Sequence, residues 1–153
     1  NLSLSNEYNR INNFLVGVFN EVLKTEEASL KTKEFKNLSV REMHVIEAVC
    51  EAEKTNTNTA SNIAAAQRVT SGTLAMAINT LEKKGYVKRI QDEQDKRVVR
   101  IFATDKGKAA NQMHADFHHQ MVSAIMSAMS EEELAVFVKG LASVHDFFKG
   151  RQA

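Results

Sequence analysis

Thr59-Ala60-Ser61-Asn62-Ile63-Ala64-Ala65-Ala66, then Gln67-Arg68-Val69, then Thr70-Ser71-Gly72-Thr73-Leu74-Ala75-Met76-Ala77-Ile78-Asn79-Thr80-Leu81-Glu82-Lys83-Lys84-Gly85 is the stretch that decides the fold. Thr59 can cap a short helix running through Ala66. Thr70 can cap a second helix that carries Leu74, Ala77, Ile78 and Leu81 inward until Gly85 stops it. Between them lies only the tripeptide Gln67-Arg68-Val69. After Gly85 the period changes from helical to extended. Tyr86 to Gln91 and Val98 to Phe102 are β-rich runs bracketing the charged tip Asp92-Glu93-Gln94-Asp95-Lys96-Arg97, which predicts a two-stranded hairpin with a polar loop.

A short helix, a tight turn, a longer helix and a basic hairpin together read as a helix-turn-helix with a wing. In such a unit the second helix enters a major groove about 12 Å wide and the hairpin reaches the phosphates or the minor groove alongside. Opposite the apolar face of that helix stand Gly72, Met76, Asn79 and Lys83, flanked by Thr73, Ala75 and Thr80. Small and hydroxyl residues there allow close approach. Asn79 can pair with an adenine edge, Thr73 and Thr80 can meet a thymine methyl or a phosphate, and Lys83 suits a phosphate. Thr59, Arg68, Thr70 and Ser71, with Asp95, Lys96 and Arg97 on the tip, complete the candidate DNA contacts. On pattern alone the same helix also reads as the solvent face of an α+β domain.

Outward from this unit the chain is helical. Ile11, Phe14, Leu15, Val18, Phe19, Val22 and Leu23 make one apolar stripe on a helix from about 6 to 31. Ser39 and Glu42 have capping-box spacing and open a helix with Met43, Val45, Ile46, Val49 and Cys50 on its apolar side. Thr104 caps a long helix from Asp105 to about Ala128, and Ser130 with Glu133 opens a last one bearing Leu134, Phe137, Val138, Leu141, Val144, His145 and Phe148. The fold class is therefore mainly α with a small β-hairpin wing. Residues 39–102 form the winged helix-turn-helix part of a single chain, 6–38 and 103–150 a helical dimerisation part. Each flanking helix is too apolar on one face to stand alone, and a reading head needs a two-fold partner to match a palindromic site, so a homodimer is expected.

The 153 residues contain no proline and only 6 glycines, which argues against loop-rich or all-β chains. The net charge of +1 hides a division. Residues 66–110 hold ten cations against five anions, leaving the remainder at −4, as if one face met a polyanion and another did not. No window is apolar enough to span a bilayer and the first six residues lack a basic, apolar leader, so a cytoplasmic protein without a membrane partner is expected. Opening on Asn, the chain reads as truncated or tagged, and residues 1–5 carry no argument.

Thr59-Ala60-Ser61-Asn62-Ile63-Ala64, Val69-Thr70-Ser71-Gly72-Thr73-Leu74, Leu81-Glu82-Lys83-Lys84-Gly85-Tyr86-Val87, Asp92-Glu93-Gln94-Asp95-Lys96-Arg97 and Thr104-Asp105-Lys106-Gly107 resemble the successive signatures of the MarR family of winged-helix regulators. With the flanking helices the resemblance covers nearly the whole chain. It implies that Arg97 enters or borders a minor groove while Asp95 orients it. Gln67, Glu93, Lys96 and Ala103 depart from the residues usual there, which are an apolar residue, proline, arginine and leucine. Residues 38–44, 113–122 and 129–134 further resemble the FabT-like subgroup of fatty-acid-synthesis repressors in Gram-positive bacteria. That membership implies repression at an AT-rich palindromic operator, with a long-chain acyl group on acyl carrier protein as co-repressor. A MarR-type repressor released by a small lipophilic ligand or a metal, and a winged-helix module that binds no DNA, are the alternatives.

His114 and His118 have the i, i+4 spacing that can hold zinc, but Ala115 stands where a zinc protease needs its glutamate base, and polar contacts near a dimer or ligand pocket are the plainer reading. Cys50 lies on an apolar stripe beside Glu51 and Glu53, which would raise its pKa, so a buried structural thiol is expected. The methionines of the long helix either fill the core or line an acyl pocket, for which the candidates are Phe14, Val18, Met43, Met113, Phe117 and Met121. Nothing resembles a phosphate loop or a nucleophilic triad, so neither catalysis nor a cofactor is expected.

Overall fold

Two capping boxes and three threonine caps set the frame of the protein, a computed structural model of which describes residues 2–151. The helices are α1 (Leu2–Asn13) and α2 (Phe19–Ser29), with a π-helical segment Phe14–Val18 between them, then α3 (Val40–Lys54), α4 (Ala60–Gln67) and α5 (Ser71–Lys83). Strands β1 (Val87–Gln91) and β2 (Val99–Ala103) follow, then α6 (Asp105–Ser127) and α7 (Glu131–Arg151). No helix among the described residues is long and apolar enough to cross a membrane. The chain divides into two compact units, one up to residue 114 and one from residue 115 on.

In the first unit each expected stop and start is made by a specific hydrogen bond. The Ser39 hydroxyl accepts from the Glu42 amide and the Glu42 carboxylate accepts from the Ser39 amide, at 3.1 and 3.0 Å. Thr59 and Thr70 accept from the Asn62 and Thr73 amides at the starts of α4 and α5. Gly85 takes φ of +85°, the left-handed turn that releases the chain into β1. The strands pair antiparallel with Arg89 opposite Ile101, and each begins one residue later than the β-rich runs suggest because Tyr86 and Val98 are spent in turns, while β1 ends at Gln91 as expected and β2 runs on to Ala103.

The core of this unit is Met43, Ile46 and Val49 of α3, Ile63 of α4, Leu74, Ile78 and Leu81 of α5, and Tyr86, Val87 and Ile101 of the wing base, all nearly inaccessible. Buried Cys50 joins them, and burial followed by the Glu53 charge pushes its thiol up to about 11, so it is an inert core residue. Leu30, Phe35 and Leu38, from the irregular stretch after α2, are also buried. Phe35 packs 6.4 Å from the Tyr86 ring, whose hydroxyl donates to Asn37 Oδ1 at 2.7 Å and whose face holds the Lys106 ammonium at 4.5 Å.

The start of α6 is fixed by contact rather than by propensity. Thr104 donates its hydroxyl to the Gly85 carbonyl at 2.6 Å and accepts from the Gly107 amide at 3.2 Å. A Cβ on Gly107 would collide with the Tyr86 carbonyl oxygen and come within 3.3 Å of Ala103 Cβ. This explains the Thr-Asp-Lys-Gly run: only glycine lets α6 lie so close on the wing base.

The long first helix differs from the continuous one that periodicity predicts. Its π-helical segment Phe14–Val18 contains Gly17, whose lack of a side chain and open surroundings lower the cost of departing from α-helix. On its stripe Ile11, Phe14, Leu15, Val18, Phe19 and Val22 are exposed. In the second unit Ser130 and Glu133 form their capping box, at 2.9 and 3.2 Å, and α7 buries no residue. Val136, Val138, Leu141, Val144, Phe147 and Phe148 lie open along it, as do Val122, Ile125 and Met126 on α6.

Candidate nucleic-acid interface

Helix α5 is anchored by Leu74, Ile78 and Leu81, so its other side must face outward. Gly72, Thr73, Met76, Asn79, Thr80 and Lys83 are all exposed, Met76 at 72%. The small residues leave room for the backbone to approach a groove floor. Hydroxyl chemistry is narrower than the sequence suggests. Thr70 donates to Thr73 Oγ1 at 2.9 Å, and Thr80 donates to the Met76 carbonyl at 3.1 Å, so Thr80 presents chiefly its methyl group and oxygen lone pairs. Ser71 is exposed in the first turn. Arg68 caps α4 with φ of +54°, a left-handed bend that redirects the chain into α5. Thr59 is half-buried at the start of α4, its hydroxyl 3.4 Å from Ser61 Oγ and its backbone bridged to Arg100. Its structural work is that of a cap.

The wing carries a fork. Arg97 donates from Nε and Nη2 to the two oxygens of Asp95, at 3.0 and 3.1 Å, while its backbone amide also reaches Asp95 Oδ1 at 3.1 Å. Its side chain is 90% exposed, so the guanidinium is oriented without being buried. These hydrogen bonds hold the Asp95 carboxyl below its ordinary range. Lys96, exposed beside them, gives its carbonyl to Gln91 Nε2 at 2.6 Å.

Several cations of the basic stretch serve the fold instead. Lys84 bonds the Glu42 carboxylate at 2.8 and 3.1 Å, Arg89 bonds Glu82 at 3.1 Å, and Arg100 bonds Asp92 at 2.8 Å. Burial tends to raise the Glu42 carboxyl, but the bonds from Lys84 and Ser39 outweigh it and hold the group low. The cations of the stretch left exposed are Arg68, Lys83, Lys88, Lys96, Arg97, Lys106 and Lys108, of which Lys83 lies on α5 and Lys96 and Arg97 on the wing tip. Asn58 is a functional-looking polar residue that sequence reasoning passed over. It is buried at 1% exposure and exchanges two bonds with Ile101, each 2.8 Å, stitching the α3–α4 turn to β2.

The six residues expected to line an apolar pocket are scattered among different environments. Met43 is fully inside the core, so it offers no surface to a ligand, and Met113 is half-buried against the same core. Phe14 and Val18 are exposed on the π-helical segment, and Phe117 and Met121, both half-buried, belong to the second unit. A cavity of about 480 Å³ in the first unit is lined by other residues, including Leu23, Arg41, His44, Val69, Leu74 and Ala77. It runs from α2 to the inner side of α5. At its wall His44 Nε2 lies 3.1 Å from the buried Glu26, and 5.6 Å away, edge to face, stands the ring of buried His114, whose Nε2 is 3.0 Å from Glu47. His118, in the second unit, packs edge-on against Phe117. No three His, Cys, Asp or Glu side chains among the described residues are placed to hold a metal ion.

The family model for the transcriptional regulator SarA/Rot matches residues 28–113. Among solved structures, Streptococcus pneumoniae FabT in complex with DNA is 41% identical, with a TM-score of 0.85 over 94% of this chain and 98% of that one. A MarR family transcription regulator shares the fold alone, at 15% identity and a TM-score of 0.78 over 97% of this chain and 95% of its own. The HTH-type transcriptional repressor YetL of Bacillus subtilis (strain 168) is 31% identical over 86 residues, 56% of this chain and 52% of YetL. The chain spans about half the length of the curated relatives it matches.

Proposed function

The chain belongs to the SarA/Rot family of transcriptional regulators and has the MarR-type winged helix-turn-helix, and from that premise we propose that it is a dimeric, cytoplasmic repressor of fatty-acid-synthesis genes whose co-repressor is a long-chain acyl group on acyl carrier protein. It is a DNA-binding transcriptional regulator. The exposed face Gly72, Met76, Asn79 and Lys83, set beside a guanidinium oriented by Asp95, is the observation that carries the reading. In this reading α5 reads base edges in the major groove and Arg97 reads a narrow, A·T-rich minor groove. Thr70, Ser71 and Thr73 at the start of α5, Arg68 before it and Lys96 on the wing meet phosphates and set the register.

The dimer is supported by the open apolar faces of α1, α2 and α7, each of which needs a covering surface. Two heads so joined present half-sites about one helical turn, roughly 34 Å, apart on a palindrome. The likeness to FabT over nearly its full length supports the fatty-acid reading. A cavity touching both α2 and the inner face of α5 gives an apolar ligand a lever on the recognition helix. A co-repressor must bind the DNA-competent state more tightly, and operator DNA must tighten its binding by the same factor.

The test is an operator titration at several concentrations of long-chain acyl carrier protein, with the unacylated carrier as control. Affinity rising only with the acylated form supports the proposal, and unchanged affinity removes the acyl co-repressor. A second reading, release by a small lipophilic anion, draws on Arg41 and His44 in the wall of the same cavity. It predicts that ligand weakens operator binding.

A further inference from the structure

Arg100 stands in the basic stretch, yet it points away from solvent, with its side chain 25% exposed. Its Nε donates to Asp92 Oδ1 at 2.8 Å, and its Nη1 lies 3.2 Å from the Asn56 carbonyl, 3.3 Å from Asn56 Oδ1 and 3.2 Å from Asn58 Oδ1. Asn56 holds φ of +56°, a conformation that asparagine tolerates, and this brings its carbonyl and side chain to one guanidinium. From Asp92 the chain of bonds continues outward. Asp92 Oδ2 accepts the Asp95 amide at 2.9 Å and the Gln94 amide at 3.2 Å, and Asp95 in turn holds the Arg97 fork. The α3–α4 turn is thereby connected, through Arg100, Asp92 and Asp95, to the side chain at the wing tip.

We propose that Arg100 is a positioning residue for DNA readout, which fixes the wing tip carrying Arg97 to the turn leading into α4, so that helix and wing meet DNA as one rigid body. The inference deepens the reading of the wing and rests on the role proposed for Arg97. A five-residue strand and a polar loop have little packing of their own, since only Ile101 and Ala103 of β2 are buried. Without the brace the tip would sample many orientations, and the ordering lost would have to be supplied on binding. Because Arg100 touches no phosphate in this scheme, it contributes to affinity and to groove discrimination without contributing to counterion release.

The experiment measures operator affinity against salt, on A·T-rich and G·C-rich flanks, for the parent, Arg97→Ala, Arg100→Gln, Asp92→Asn and the double variant Arg97→Ala/Arg100→Gln. Arg100→Gln removes a positive charge and Asp92→Asn removes a negative one. A purely electrostatic effect therefore moves their affinities in opposite directions, whereas a broken brace weakens both. We expect each to lose about tenfold on A·T-rich flanks, the scale of one lost specific contact, with the parental salt slope. The double variant should bind like Arg97→Ala alone. A salt slope lowered by about one unit in Arg100→Gln would make Arg100 a phosphate contact and overturn the inference. So would tighter binding by Asp92→Asn, or multiplying losses in the double variant. If Arg97→Ala changes neither affinity nor flank preference, it is the reading of the wing that fails, and the inference falls with it. Thermal unfolding of each variant checks the fold, and Arg100→Lys, which can reach Asp92 but not Asn56 and Asn58 together, carries the comparison should Arg100→Gln not fold.

Discussion

Residues 40–103 and the helices that flank them use the same amphipathic code and end in opposite states. In the reading head the apolar stripe of α5 is closed, with Leu74, Ile78 and Leu81 at 1% exposure or less. In α1, α7 and the π-helical segment the stripes are open, with Phe14, Leu141 and Phe148 at 44%, 42% and 45%. The head carries its own partner in sequence. The flanking helices leave an apolar face open among the described residues. Periodicity reports that a face exists, and burial reports whether one chain suffices to cover it.

The largest effect should come from charging an open face. Leu141→Glu is expected to leave the melting of the head nearly unchanged, to halve the mass found by sedimentation, and to weaken operator binding on the order of 10²–10⁴-fold as the second head is lost. A variant that stays dimeric with full affinity would show that α7 is not the face a second copy covers.

A smaller effect, confined to the head, tests the opposite pole. Gly107→Ala forces a methyl group against the Tyr86 carbonyl and should cost about 1–3 kcal/mol in chemical denaturation, as overpacking does. Gly72→Ala, where a Cβ meets nothing within 4 Å, should instead stabilise α5 by about 0.5–1 kcal/mol while crowding the groove-facing surface. Equal effects of the two substitutions on stability would contradict the packing of α6 on the wing base.

Lys83→Ala should weaken binding to all sequences and lower the salt slope by about one unit, leaving flank preference intact. An unchanged slope would remove Lys83 from the phosphate contacts.

The smallest effect compares the two capping boxes. Both Glu42 and Glu133 carry carboxyls held below their ordinary range, Glu42 against its burial by Lys84 and Ser39, Glu133 by the Ser130 amide and hydroxyl. A depressed folded pKa gives stability that is full above the unfolded pKa and is lost as pH falls through the folded one. Acid titration of the parent and of Glu42→Gln and Glu133→Gln should show the larger loss at Glu42, where Lys84 loses its ion pair and keeps only the Asn37 carbonyl, and only a slight one at exposed Glu133. Equal losses would mean that the Lys84 bond adds nothing to the cap.

Helix caps, Gly85 and the hairpin were legible because each is local: the signal and its partner lie within a few residues, whereas the Asp95–Arg97 pairing was implied by the resemblance to the MarR family. What was not legible is non-local or aperiodic. Leu30, Phe35 and Leu38 have no helical or alternating spacing, so nothing in the pattern marks them as core. Asn58 and Arg100 look like ordinary loop and wing residues until the turn and β2, more than forty positions apart, are brought together. Counting ten cations overstated the charge facing outward, since Lys84, Arg89 and Arg100 are consumed by internal carboxylates. Met43 was open to the same ambiguity, since an apolar stripe does not say whether a side chain lines a pocket or fills the core, and here it fills the core.

The hairpin has one further consequence. A two-stranded sheet has two free margins, and each is a template on which another molecule can lay a strand. Here both margins carry bonds from within, three on β2 and one on β1. On β2 the Ile101 amide and carbonyl bond Asn58, and the Ala103 amide is taken by the Glu53 carboxylate. On β1 the Arg89 amide is taken by the Glu82 carboxylate, 3.2 Å away. The bonds that square the wing to the helices therefore also make its edges poorer templates for β-aggregation.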